Sequence, residues 1–297
     1  MPTPHQYGTH LQLEIELPYL LRLQLNTNIN RAVSLDTVQD TCGMQVSFIR
    51  FVYNKLNYMS PLIQRIQVFV FMIGFACPTY AATDCVILLH GLARTSSSMN
   101  IIEEAFEQRG FNVVNVDYPS RKYPVETLAP MAIEGGLAAC PSEKNVHFIT
   151  HSLGGILVRY YMQHHTLDRL GRVVMLAPPN QGTEVVDDMR DVPGFETLNG
   201  PAGQQLGTDE NSIPLSLGPV SFELGVIAGT ESINPILSQS LPNPDDGKVS
   251  VNNTKVEGMS DFIMVPYTHT FIMRSSEVID QALHFIETGH FNHGLTK

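Results

Sequence analysis

Six short runs of apolar and β-branched residues, at 85–89, 111–116, 146–150, 172–176, 224–228 and 261–265, alternate along the chain with patterns of helical period. A strand with one solvated face alternates apolar and polar residues, whereas a strand that is apolar throughout is covered on both faces, as a parallel strand is between helices. The segments between them supply those helices. Residues 97–109 begin on a serine cap, 125–139 are interrupted by Gly135 and Gly136, 154–165 carry Leu157, Tyr160 and Tyr161, and 277–288 are amphipathic. This order predicts an α/β fold: a doubly wound, mostly parallel sheet with helices on both faces, and a ligand crevice at the carboxyl ends of the strands. Residues 178–221, rich in Gly, Pro and Asn and without a strand pattern, are expected to form a small cap region over that crevice.

The third run leads through His151-Ser152-Leu153-Gly154-Gly155 straight into a helix. Strand, tight turn and helix are the context in which a serine hydroxyl projects as a nucleophile, and small residues must flank it for the backbone to turn so sharply. Gly154 and Gly155 meet that need on the helix side. On the strand side Thr150 stands where G-x-S-x-G has its first glycine; a β-branched residue there is expected to crowd the turn, although a threonine is tolerable if the opposing residue is Gly154. A serine also needs a base. Of the eleven histidines, His269 alone falls in a loop between the last strand and the last helix, from which an imidazole reaches the carboxyl edge of the sheet. His151 abuts the serine but is expected to point elsewhere, His147 is in a strand, His164 and His165 sit at a helix C-terminus, and His284 is in a helix. His290 and His293 belong to a tail expected to be loose. The orienting carboxylate must precede the histidine; Asp246, in the turn Pro244-Asp245-Asp246-Gly247-Lys248-Val249, is the expected one, with Asp245 and Glu231 as rivals. The bland reading of Ser152 and Asp246 is a helix-capping serine and a solvated turn aspartate.

Taken together, these residues resemble the α/β-hydrolase superfamily, and within it the bacterial secreted, triacylglycerol lipase-like branch of lipases and esterases, from about Cys85 to the C-terminus. The resemblance is carried by His90-Gly91-Leu92, by Thr150-His151-Ser152-Leu153-Gly154-Gly155 and by Asp246-Gly247-Lys248-Val249 with His269. Pro178-Pro179-Asn180-Gln181-Gly182-Thr183 is similar to the branch's Pro-Asn-x-Gly-Thr/Ser segment. The resemblance implies a sheet beginning at the superfamily's third strand and oxyanion donors at the Leu92 and Leu153 amides. It further implies hydrolysis of carboxylic esters through an acyl-enzyme on Ser152. Some relatives hold a structural calcium through an aspartate two residues past the histidine; that position is Phe271 here, so neither metal nor cofactor is expected. Leu92, Pro179 and Val249 are expected to line the acyl pocket, and the brief cap leans towards modest esters. The expected partner is a small-molecule or lipid ester, with transient contact to a lipid surface. Acyltransferase or thioesterase chemistry would use the same triad. A non-catalytic binding module of the same fold is the reading from another class, and the presence of every triad member weighs against it.

The chain's 297 residues suffice for one large core. Eighteen basic against twenty-nine acidic residues give a formal charge of −11, and no basic cluster interleaved with aromatics occurs, which excludes nucleic acid as a partner. Residues 59–81 have the order of a signal peptide: a short polar stretch with Arg65, an apolar run at 66–76 broken by Gln67 and Gly74, and small residues before a cut after Ala81. That run is shorter than the roughly twenty residues a spanning helix needs. The expected organisation is an extension at 1–58 ahead of a physiological start at Met59, a signal peptide at 59–81, and a catalytic domain at 82–297 exported to the periplasm or beyond. The 66–76 run also admits a buried strand or helix, an uncleaved membrane tether, or a lipoprotein signal ending at Cys77. Cys42 and Cys77 precede the domain. Cys85 and Cys140 fall near one end of the sheet, where either a disulfide or two buried thiols would fit.

Overall fold

A computed structural model describes residues 84–142 and 144–294; Met59, the 66–76 run, Cys42, Cys77 and the proposed cleavage point lie outside the described residues. The strands are β1 (Cys85–Leu89), β2 (Asn112–Val116), β3 (Val146–His151), β4 (Leu170–Leu176), β5 (Leu224–Gly229) and β6 (Asp261–Val265). They form one sheet in the order β2-β1-β3-β4-β5-β6, with every pairing parallel. The helices are α1 (Asn100–Gln108), α2 (Val125–Ala139), α3 (Leu153–His164), the short α4 (Glu184–Met189), α5 (Phe195–Gln204), α6 (Ile213–Ser216) and α7 (Val251–Thr254), and the closing α8 (Ser276–Thr288).

Coverage on both faces explains the continuous apolar strands. Cys85, Ile87 and Leu89 point into a layer with Leu128 and Ile133 of α2 and Ile156 and Leu157 of α3. Val86 and Leu88 point the other way, towards Ile102 and Phe106 of α1 and Val278, Leu283 and Phe285 of α8. Each such side chain stabilises the fold by about 1.5–3 kcal/mol relative to exposure, so both parities of β1 must be apolar. β2 lies at the sheet edge and is only partly buried, which is why Asn112 and Asn115 are tolerated there. The Asn115 amide donates to Glu103 Oε2 at 2.7 Å. The chain runs outward from β1 to β2 and then returns to β3 on β1's other side. The loops leaving β1 and β3 therefore diverge at the carboxyl edge and open the crevice.

Two open points are settled by packing. Cys85 and Cys140 form a disulfide, with Cα atoms 5.8 Å apart and a sequence separation of 55. Closing a loop of that length stabilises the fold by roughly 4 kcal/mol in the chain-entropy account. The C-terminal tail, expected to be loose, is fastened: Phe291 is buried, its amide donates to Asp261 Oδ2 at 2.7 Å, and Gln281 of α8 brackets Asn292 at 2.8 and 2.9 Å. Among the described residues no helix is long and apolar enough to cross a membrane.

Candidate active site

β3 ends at His151 and α3 begins at Leu153, so Ser152 alone makes the turn, with φ 54° and ψ −119°. A non-glycine residue in such a conformation costs on the order of 1–3 kcal/mol and persists only where its surroundings hold it. Here the Ser152 amide donates to the Leu176 carbonyl at the end of β4 (2.9 Å), and the Ser152 carbonyl accepts from Gly155 (3.0 Å). Two glycines give the turn its room. A Cβ on Gly154 would lie 2.6 Å from the Leu89 carbonyl oxygen, and one on Gly91 would lie 2.7 Å from His151 Nδ1 and 3.2 Å from Ser152 Cβ. The crowding expected from Thr150 does not arise. Thr150 remains inside β3, paired with Leu89 and Met175, and the close approach at the turn falls on Gly91 and Gly154 instead.

Ser152 Oγ lies 3.0 Å from His269 Nε2, and His269 Nδ1 lies 2.8 Å from Asp246 Oδ2. All three residues are at least nine-tenths buried. Asp246 Oδ1 accepts from the amides of Lys248 (3.0 Å) and Val249 (2.8 Å), which leaves Oδ2 for the imidazole. With the ring proton on Nδ1 donated to that oxygen, Nε2 has its lone pair free to accept from the serine hydroxyl. The loops carrying Asp246 and His269 are also joined through their backbones, because the His269 amide donates to the Asp246 carbonyl at 3.0 Å. The rivals are otherwise engaged or remote. Asp245 caps its own turn, accepting from the Gly247 amide (2.7 Å) and the Ser238 hydroxyl (2.8 Å), and Glu231 is exposed.

His151 points away from the serine hydroxyl, as expected, but it reaches the loop of His269. Its Nε2 donates to the His269 carbonyl at 3.0 Å, and the two rings are 4.9 Å apart. Burial holds this imidazole well below the usual histidine pKa, and the charges of His269 and Arg94 push it the same way. Nothing in the sequence except adjacency to Ser152 marked this contact. On the opposite wall His90 stacks on Tyr118 at 4.1 Å, and the Tyr118 hydroxyl donates to the His90 carbonyl, which clamps the loop leaving β1. Burial lowers the His90 pKa against the opposing pull of the Gly91 carbonyl and Asp117. The Leu92 and Leu153 amides donate to no group among the described residues, whereas the neighbouring Ala93 amide is taken by Ser120 Oγ at 3.1 Å.

A cavity of about 240 Å³ adjoins His269 between Lys248, Thr270 and Ile233. Of the residues expected to line an acyl pocket, Leu92 is half-buried on the loop after β1, while Pro179 and Val249 are buried and Val249 serves Asp246 through its amide. None of the three lines that cavity. The Pro178–Thr183 segment acts as a fastening. The buried Asn180 donates to the Thr254 carbonyl (2.8 Å) and accepts the Arg159 guanidinium of α3 at its own carbonyl (2.7 Å), and Thr183 caps α4 while donating to the Lys248 carbonyl. Among the described residues no three His, Cys, Asp or Glu side chains gather as metal ligands would.

The model of the alpha/beta hydrolase family matches residues 86–239, just over half of the chain. The chain belongs to that family. The matched segment contains all of β1 except its first residue, together with the elbow and Ser152, but ends before Asp246 and His269, so the positions of those two side chains rest on the hydrogen-bond geometry. Similar solved structures include the mature form of the Bacillus licheniformis lipase BlEst2, 17% identical with a TM-score of 0.55 over 69% of this chain and 93% of that one. The Legionella pneumophila phospholipase PlaB is also 17% identical, with a TM-score of 0.51 over 69% of this α/β-hydrolase and 58% of the phospholipase. A metagenomic carboxyl esterase, MGS0156, is 16% identical with a TM-score of 0.51 over 65% and 66% of the two chains. At such identities the likeness is one of fold. No curated protein matches the chain by sequence.

Proposed function

We propose that this α/β-hydrolase is a serine carboxylic-ester hydrolase of the lipase or esterase kind, with Ser152 as nucleophile, His269 as general base and Asp246 as the orienting acid. The observation that carries this reading is the unbroken hydrogen-bond chain from Ser152 Oγ through His269 to Asp246, at 3.0 and 2.8 Å, on a strained elbow. In the proposed reaction His269 takes the hydroxyl proton as Ser152 attacks the ester carbonyl. The developing oxyanion is received by the uncommitted Leu92 and Leu153 amides. His269 then returns the proton to the departing alcohol, and a water activated in the same way releases the acid and restores Ser152. The lipase and esterase names among the structural neighbours accord with an ester substrate.

The test is labelling with an alkyl nitrophenyl phosphonate, followed by mapping of the adduct, alongside turnover of nitrophenyl esters from acetate to palmitate. The adduct is expected on Ser152, and Ser152→Ala is expected to lose at least about a thousand-fold in kcat. Near-normal ester turnover by that variant, or labelling elsewhere, overturns the assignment. Export is part of the same proposal and is supported by the Cys85–Cys140 disulfide, which the reducing cytosol does not favour. A mature N-terminus immediately after Ala81 is the expected result of N-terminal sequencing, and one upstream of Met59 refutes it.

A further inference from the structure

The cations of this acidic chain are unevenly employed. Among the described residues Arg109, Arg172 and Arg190 are ion-paired, Arg159 and Arg169 donate to main-chain carbonyls, and Lys255 and Arg274 lie over phenylalanine rings. Among the described residues Arg94, Arg121 and Lys122 find no ion pair and no side-chain hydrogen bond, and all three line one cavity of about 440 Å³. That cavity lies between the loop that follows β1, the loop that follows β2 and Thr197 of α5. Its walls are fixed: the Ala93 amide is bound to the buried Ser120 Oγ at 3.1 Å, and Gln205, which caps the C-terminus of α5, accepts from the Val125 amide at 2.8 Å while donating to Glu126. The one carboxylate in the lining, Asp117, is already engaged by the Ser96 amide (3.0 Å) and faces His90 Nε2 at 3.6 Å. Lys248, also without an ion pair, lines the smaller cavity beside His269, so the uncommitted positive charge gathers around the carboxyl edge of the sheet. Lys144, at the amino end of β3, is the exception.

We propose that the Arg94, Arg121 and Lys122 cavity seats an anionic group, a phosphate or a carboxylate, borne by the substrate, and that this enzyme therefore prefers anionic esters. The inference rests on the ester-hydrolase reading above and names its substrate class. Three positive side chains held on one concave wall without partners repel one another, and an anion that accepts charge-assisted hydrogen bonds from them relieves that repulsion. The proximity to the reacting atoms comes from the chain itself. Arg94 lies two residues beyond Leu92, on the loop whose Gly91 packs against Ser152. The charge of Arg94 also reaches His151, the residue before the nucleophile, as a contribution secondary to burial.

The experiment uses the full chain and four soluble esters: neutral 1-butyrylglycerol, 1-butyrylglycerol 3-phosphate, the butyrate ester of glycerate, and the glycerol monoester of glutaric acid. At low salt one or more of the anionic esters is expected to exceed the neutral one by roughly ten-fold or more in kcat/KM, mainly through KM. That advantage should shrink as salt screens the exposed cations. In Arg121→Gln/Lys122→Gln, and separately in Arg94→Gln, the anionic-to-neutral ratio should fall several-fold. A preference for the phosphate over both carboxylates assigns a phosphate seat, and a preference for either carboxylate assigns a carboxylate seat on the alcohol or acyl side. Equal turnover of all four esters, or an anionic-to-neutral ratio untouched by the substitutions, overturns the inference and leaves the hydrolase reading standing. No turnover of any of the four strikes at the hydrolase reading itself.

Discussion

Asp245 and Asp246 are the same side chain one residue apart, and their hydrogen bonds send them to different work. Asp246 offers one oxygen to two backbone amides and the other to His269 Nδ1, while Asp245 is consumed by the Gly247 amide and Ser238. Replacing Asp246 by Asn keeps the shape but presents an amide hydrogen or an uncharged oxygen to the ring, so the tautomer with Nε2 free to accept loses its advantage. Asp246→Asn is expected to lower kcat by about a thousand-fold or more with little loss of Tm. Asp245→Ala should do the reverse, costing about 1–3 kcal/mol of stability through the unsatisfied turn amide and far less in kcat. Steady-state kinetics on a short nitrophenyl ester together with thermal melts separate the two, and an Asp246→Asn enzyme of ordinary kcat would remove this carboxylate from the mechanism. The placement of Asp246 beside His269 was legible because chain order and the following Gly247 are sequence properties. The role of His151 was not, since its partner is a main-chain carbonyl 118 residues away and leaves no mark in the side-chain sequence.

At the scale of elements, the strands were legible because burial on both faces demands apolar residues at both parities, and the expected and observed limits of the last strand coincide. The helices of the 178–221 region were not. α4 and α6 are short, and each is started by a side-chain cap, Thr183 and Ser212, a signal that any turn also shows. Helix α3 positions Ser152 through its first turn, which rests against the exit of β1 at Gly154. A Cβ there would meet the Leu89 carbonyl at 2.6 Å and the His90 carbonyl at 3.1 Å, both of them backbone atoms that cannot swing aside. Gly154→Ala is therefore expected to destabilise the fold by about 1–3 kcal/mol and to lower kcat by shifting Ser152 relative to His269. At Gly155 the nearest atom to an added Cβ is the sulfur of Met175, at 3.0 Å, on a flexible side chain, so Gly155→Ala should be the milder change in both melts and kinetics. Equal effects of the two substitutions would mean that the approach of α3 to β1 does not set the elbow.

For the molecule as a whole, the buried imidazoles couple stability to pH. His90, His147 and His151 are buried, and burial, the largest influence on each, holds their pKa values below the usual histidine value. His90 and His147 are partly compensated by Asp117 and Asp84, whereas His151 is pushed lower still by the charge of His269. In the unfolded chain all three would titrate near 6.5. Below that pH the unfolded state binds more protons than the folded one, so stability falls as pH drops through about 6.5 and continues to fall until the folded-state values are reached; above it the three groups are neutral in both states and contribute no slope. At pH 6 each unfolded imidazole is roughly three-quarters protonated, so unfolding takes up at most about two protons from these residues, a slope approaching 3 kcal/mol per pH unit. Urea unfolding of the oxidised protein at pH 7.5, 6.5 and 5.5 measures this directly. His147→Gln, whose side chain can still accept from the Arg172 amide that His147 Nδ1 now receives at 2.8 Å, should lessen the slope by up to a third without touching the candidate site. Stability that is flat or rises between pH 6.5 and 5.5 would show that these imidazoles are protonated in the folded protein, and the neutral His151 bracing the loop of His269 would fall with them.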